Sequence, residues 1–280
     1  MVTPVALPFP KIDPVAVEIG PLAVRWYGLA YFVGILLGWW YARRQAGNPR
    51  LWQGGRAPLT AADLDDFVLW ITVGIILGGR LGYALFYQPD HFLNEPLAFF
   101  RLWEGGMSFH GGLIGTIVAM MAFSWKRGLP LMSLFDVVST AVPFGLFFGR
   151  IANFINGELF GRPTDVPWAM IFPGGGGAPR HPSQLYEAAL EGVLLFLILR
   201  LLTHHFRSLR YPGLTSGAFL IFYGSFRIFV EFFRQPDPQL GFIAAFLTMG
   251  MILSVPMILI GAGAVIYAWR RGPRPTEVGV

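Results

Sequence analysis

LFDVVSTAVPFGLFFGRIANFINGELFGR, residues 134–162, decides the fold. Residues 134–152 form a long apolar run, and a helix needs about 17–25 such residues to cross roughly 30 Å of hydrocarbon. The run then delivers Arg150, Asn153, Asn156 and Glu158 within three turns of one another. A single Arg at a helix end is enough to anchor it by snorkelling. Two asparagines and a glutamate beside that Arg need partners in low-dielectric surroundings. The stretch reads as a membrane helix that ends in a site, provided that the rest of the chain lies in a bilayer.

The composition supports that condition. Of 280 residues, 54% are hydrophobic and only 13% charged, with a mean hydropathy of +0.55; soluble domains carry about 25% charged residues. Apolar runs recur at about 22–42, 67–87, 109–125, 134–152, 184–203, 214–233 and 243–269. This predicts an all-α polytopic membrane protein with about seven transmembrane helices. The net charge of +5 and a pI near 9.7 raise nucleic acid as a partner. The basic residues sit in short loops between spans and not along one stripe, so they read as a topology signal, with no nucleic acid bound. There is no cysteine, which removes disulfides, thiolate metal sites and a cysteine nucleophile and leaves the redox compartment open. MVTPVALPFPKIDP lacks a basic region followed by an unbroken apolar core, so no cleavable signal peptide is expected.

Arg43, Arg44, Arg50 and Arg56 follow span one, Lys126 and Arg127 span three, Arg207 and Arg210 span five, and Arg270, Arg271 and Arg274 span seven. The opposite loops carry Arg101, then Arg162 and Arg180, then Arg234. The positive-inside rule makes the first set cytoplasmic, with the N-terminus outside and the C-terminus inside. Two outer loops stand out. Residues 88–108 mix aromatic and polar groups, as expected of a segment lying in the interface. Residues 161–183 hold five prolines and Gly174–Gly177, which predicts a small, strand-like extracytoplasmic insertion between spans four and five that ends in a flexible turn. The glycines that punctuate the spans read mostly as close helix packing. No repeat or second core is visible, so residues 1–280 form one integral membrane domain.

Ionisable groups within spans are costly and point to function. SFHGGLIG places His110 at the start of span three; it reads either as an interfacial cap or, with the N–H groups of Gly111 and Gly112, as part of an anion site. In FYGSFRIFVEFFRQPD, Tyr223, Arg227 and Glu231 are spaced by four and line one helix face. The Arg227–Glu231 pair is either structural or holds Arg227 ready for a charged ligand; Arg234 reads as a snorkelling anchor. RHPSQLYE brings Arg180, His181, Ser183, Gln184, Tyr186 and Glu187 to the outer end of span five, with Ser183 as a helix cap, and VRWYG brings Arg25 and Tyr27 to that of span one. Singly, most of these are anchors. Their convergence on one side indicates a site for an anionic lipid reached from the outer leaflet.

With these residues the chain resembles the bacterial phosphatidylglycerol–prolipoprotein diacylglyceryl transferases. GRIANFINGELFG is similar to the family's signature, with Ala152 where Gly is also common, and FHGGLIG, RHPSQLYE, RWYG and FRIFVEFFRQPD match further blocks in the same order between about residues 20 and 270. The resemblance implies a multi-pass enzyme of the bacterial plasma (inner) membrane whose active site faces the extracytoplasmic side. It would move the diacylglyceryl group of phosphatidylglycerol to the thiol of the lipobox cysteine of a preprolipoprotein, forming a thioether and releasing glycerol 1-phosphate. The family's catalytic positions fall on His110, Arg150 and Arg227. Its lipid-binding positions fall on Arg150, Tyr27, Asn153, Glu158, Tyr223 and Glu231. No metal and no cofactor is implied, and the partners are phosphatidylglycerol, the lipobox of the preprolipoprotein signal peptide and the bilayer. Two rival readings of the residues remain: a transporter for organic anions, which would show two related halves, and a phospholipid head-group hydrolase that uses water as the acceptor.

Overall fold

The apolar runs wind into helices whose ends are set by local chemistry. The computed structural model describes residues 6–20, 22–102, 105–236, 241, 243 and 247–273. The expectations that rest on Trp103, Glu104, Asp237, Arg274 and most of residues 237–246 lie outside the described residues. Helices α1 (Trp26–Ala46), α2 (Ala61–Phe86), α3 (Pro89–Asn94), α4 (Phe109–Arg127) and α5 (Leu131–Ile155) are followed by α6 (Ser183–Glu187), a π-helical segment (Ala188–Leu194) and α7 (Leu195–His204), which run on from one another. Helices α8 (Leu214–Glu231) and α9 (Met249–Arg271) complete the set.

Three N-termini are capped by hydroxyls that accept a backbone N–H: Thr60 from Asp63, Ser108 from Gly111 and Thr248 from Met251. The first predicted span begins four residues late, because Leu22–Arg25 is not helical. It forms strand β3, which turns back at Gly20 (φ 59°) onto strand β2, Val15–Ile19. That hairpin gives Leu22–Arg25 cross-strand backbone partners, and the helix starts only beyond them.

Helix α2 packs on α4, α1 on α5 and α8 on α9. The α2–α4 seam is made by Gly74, Gly78 and Gly82 facing Gly111 and Gly115; a Cβ at Gly78 would fall 2.7 Å from the Gly115 Cα. Without side chains the two backbones touch, which is how helices gain packing energy in lipid. The other face of α2 shows Leu69, Leu77, Leu81 and Leu85, each more than half exposed. Such a face would be a liability in water and is at home against acyl chains. Among the described residues, Ala61–Phe86, Leu131–Ile155 and Met249–Arg271 are long and apolar enough to cross a membrane.

The helices alternate in direction, so the two ends of the bundle differ. At one end Arg43 pairs with Asp65 at 2.8 Å, Arg127 pairs with Asp66, and a core of Trp52, Leu59, Phe67, Phe123, Leu134 and Val137 closes beneath the basic loops. There Asp136 of α5, fully buried, accepts hydrogen bonds from the Gly213 N–H (2.7 Å) and from the Ser216 N–H (2.8 Å) and hydroxyl (2.9 Å), capping α8 from outside.

The opposite end carries two structured loops. Arg80 of α2, 3% exposed, donates to the carbonyls of Ala98 (2.6 Å), Phe99 (3.0 Å), Gly106 (3.1 Å), Arg101 (3.2 Å) and Gly105, and so pins the segment that leads into α4. Leu93, Leu97 and Phe100 of that segment are exposed, in keeping with an interfacial position. In the second loop, strand β4 (Met170–Ile171) pairs in parallel with β1 (Leu7–Pro8). Arg180 donates to the carbonyls of Gly175 and Gly161 and lies over the Phe160 ring at 5.0 Å. The turn at 174–177 has positive φ at Gly174, Gly176 and Gly177.

Candidate active site

Three helix ends and the π-helical segment bring charge to one place. The last turn and a half of α5 presents Arg150 and Asn153 on one face, as their spacing requires. Past α5 the chain turns at Gly157 (φ 66°) and Leu159 (φ 56°). The turn is held by the Glu158 N–H on the Asn153 carbonyl (3.1 Å), by the Gln184 amide on the Glu158 carbonyl (2.6 Å) and by the Ser183 hydroxyl on the Leu159 carbonyl (3.0 Å). Ser183 thus ties down the loop and does not cap its own helix. The Glu158 side chain points back: Tyr27 of α1 donates to its Oε1, and Asn153 donates to the same oxygen at 2.9 Å and to the Tyr27 hydroxyl.

Arg150 joins this network to a second one. Its Nη1 reaches Asn153 Oδ1 at 3.5 Å, its Nε lies 3.2 Å from Glu187 Oε2, and its Nη2 lies 3.6 Å from Glu191 Oε2. Glu187 Oε1 also takes Arg227 Nη1 at 2.8 Å and Arg234 Nη1 at 3.3 Å, and Arg227 Nη2 meets Glu231 Oε1 at 2.5 Å. Tyr223 stands one turn before Arg227 on α8, within range of the charges on Glu191, Arg150 and Arg227. Glu187 and Glu191 are wholly buried, which a carboxylate tolerates only with cationic partners. Helix α9 closes one side. A Cβ on Gly250 would fall 2.6 Å from Glu231 Oε1, so only glycine lets that backbone lie against the pair. Among the described residues, no set of His, Asp and Glu is placed to hold a metal ion.

Tyr27, Arg150, Asn153, Glu158, Tyr223, Arg227 and Glu231 therefore meet at one end of the bundle, as their sequence positions suggested. His110 stands apart: it is exposed on the first turn of α4 with its ring edge-on to Phe109 at 5.6 Å, and the hydrogen bonds of the two networks do not include it. The N–H groups of Gly111 and Gly112 are not free for an anion, because Ser108 takes both, through its hydroxyl and its carbonyl. Arg234 is no snorkelling anchor, being buried against Glu187. Glu191 and Arg80 are two further charges inside apolar runs, and each carries the same sequence signal as Arg227.

Residues 14–267 match the family described as prolipoprotein diacylglyceryl transferase. The chain belongs to that family. A phosphatidylglycerol–prolipoprotein diacylglyceryl transferase of Rhizobium leguminosarum bv. trifolii is 58% identical over 95% of both chains. One of Rhizobium meliloti is 59% identical over 94% of both, and one of Nitrobacter winogradskyi is 56% identical over 96% of this chain and 92% of its own.

In this diacylglyceryl transferase the rim of the site is aromatic. Tyr186 accepts from Trp168 Nε1 at 2.6 Å, and its hydroxyl lies 3.1 Å from His181 Nδ1. The His181 ring also packs against Phe233. Burial lowers the His181 pKa from its ordinary value, so the unfolded chain takes up the proton first as pH falls. The stability contributed is fully present above about pH 6.5 and is lost as pH falls below it, toward the folded-state value. Between pH 7 and pH 5 the melting midpoint of His181→Gln in detergent should fall less than that of the wild type. An equal fall in both would mean that His181 titrates as it does in the unfolded chain.

Proposed function

We propose that the protein transfers the diacylglyceryl group of phosphatidylglycerol to the cysteine thiol of a preprolipoprotein lipobox, in a bacterial inner membrane that it crosses seven times, with its N-terminus and its site on the extracytoplasmic side. The observation that carries the reading is Arg150, which links the Tyr27–Asn153–Glu158 network to the Arg227–Glu231 pair. The lipid phosphate is an anion, and its glycerol head offers hydroxyls. Guanidiniums suit the first, in a planar bidentate fork. The Tyr27, Asn153 and Glu158 groups suit the second.

In the reaction the sulfur attacks C3 of the diacylglyceryl glycerol. A C–S bond forms, the C–O bond to phosphate breaks with its electron pair on oxygen, and glycerol 1-phosphate leaves with one more negative charge. Arg150 and Arg227 stabilise that charge most as the bond breaks, which is what lowers the barrier. Tyr223 and Glu231 orient the arginines and the lipid. A thiol has a pKa near 8.5 and attacks as the thiolate, so a base takes its proton. The imidazole of His110 is assigned that part, and its position outside the buried networks leaves it open to a peptide that arrives from the bilayer.

Mass spectrometry of a lipobox peptide incubated with the purified protein and phosphatidylglycerol tests the reading. A peptide heavier by one diacylglyceryl group supports it. Free diacylglycerol or phosphatidic acid with unmodified peptide would instead make the protein a hydrolase. For topology, Asp165→Cys should react with an impermeant thiol reagent in intact cells and Arg56→Cys should not; the reverse result would invert the orientation.

A further inference from the structure

Glu187 is in neither the catalytic nor the lipid-binding set that the resemblance implies, yet it contacts both Arg150 and Arg227. Its two oxygens contact three arginines from two helices and the loop beyond α8: Oε2 faces Arg150, and Oε1 faces Arg227 and Arg234. The carboxylate is fully buried, whereas the side chains of Arg150 and Arg227 are 17% and 15% exposed. The negative charge thus stands behind the arginines, and they stand between it and the open side. Its Oε2 lies 3.2 Å from Arg150 Nε as an ion pair without a hydrogen bond, and the two terminal nitrogens of Arg150 have longer contacts of 3.5 and 3.6 Å, to Asn153 and Glu191.

We infer that Glu187 is a positioning residue, which holds the Arg150 and Arg227 guanidiniums at a fixed separation so that both can act on one lipid phosphate. Three guanidiniums this close repel one another, strongly so away from water. A carboxylate behind them fixes their separation before substrate arrives, so that no rearrangement is needed when charge develops on the leaving oxygen. Among the described residues, Glu231 pairs with Arg227, and Glu191 lies 3.6 Å from Arg150. The inference rests on the proposed transfer reaction.

The test is Glu187→Gln, which keeps size and one acceptor oxygen but loses the charge, in the full-length protein in mixed micelles with phosphatidylglycerol and a lipobox peptide. Misdirected arginines should lower kcat by about a hundredfold. The KM for phosphatidylglycerol should stay within about threefold, or fall, because removing a negative charge does not weaken ground-state attraction for an anion. Partial unfolding lowers the amount of active enzyme but leaves the kcat of folded molecules unchanged, so rates are taken per folded molecule from a thermal melt. A folded variant with kcat near wild type overturns the inference, and so does one in which only KM rises. If the Gln variant does not fold, Glu187→Asp, which withdraws the carboxylate by one methylene, is read the same way; failure of both to fold makes Glu187 a folding residue and overturns the inference too. Wild-type protein is the control in each assay. Its failure to form the thioether would sink the transfer reaction itself, whereas the ratio of variant to wild type concerns Glu187 alone.

Discussion

Arg227→Lys should reduce turnover at saturating phosphatidylglycerol by about a hundredfold or more, a cost on the order of 3 kcal/mol in transition-state binding. Arg227 divides its guanidinium between Glu187 and Glu231, 2.8 and 2.5 Å away. A lysine ammonium is a point charge that cannot reach both carboxylates and a phosphate oxygen in one plane. Arg150→Lys should match it and, in addition, slacken the contact with Asn153. The measurement is initial rate against lipid concentration for each variant. Loss that appears only as a raised KM would mean that the arginine binds lipid equally in the ground and transition states. Near-normal turnover would remove that residue from the phosphate clamp.

Asp136→Ala should cost about 3 kcal/mol of stability while the site at the far end of the bundle keeps its kcat per folded molecule. The carboxylate caps α8 from another helix, because the N-cap position of α8 is Gly213 at φ 96° with no side chain to offer. Its removal leaves the Gly213 and Ser216 N–H groups without their acceptor in a buried place, which is dearer than losing a hydrogen bond in water. Asp136→Asn should lose less, because one amide oxygen still accepts, although its NH₂ then faces a donor. Thermal melts in detergent decide this. Unchanged midpoints for both variants would mean that α8 is held by packing alone.

The helices were legible because their cause is local. Run length and hydropathy give α4 and α5 to within three residues at each end, whereas the starts of α2 and α9 are missed by six residues and that of α1 is missed because of the strand at Leu22–Arg25. Much of the site was legible as well, since a charged group in a span has few harmless explanations. What could not be read is what the charges do to one another. Glu187, one partner of Arg234, lies 47 residues back in the chain, and Arg80 spends its donors on backbone carbonyls that carry no sequence signal. His110 was grouped with the arginines because it shares their end of the bundle, but spacing along a helix does not tell whether two helices turn their polar faces together.

The π-helical segment between α6 and α7 has a consequence for chain length. Each residue of an α-helix turns the next by about 100°, and the wider π turns let Glu187 and Glu191 face the arginines while Leu195 and Leu199 stay wholly buried against α8. Deleting one residue between 188 and 194 would let the segment wind as ordinary helix, at no loss of hydrogen bonds. Everything on one side of the deletion would then rotate against the other, so that either the carboxylates leave the arginines or the leucines leave the core. Substitutions here act one side chain at a time. A change in the count of residues acts on the phase of the whole helix, which makes this short stretch the least tolerant of insertion or deletion between Ser183 and His204.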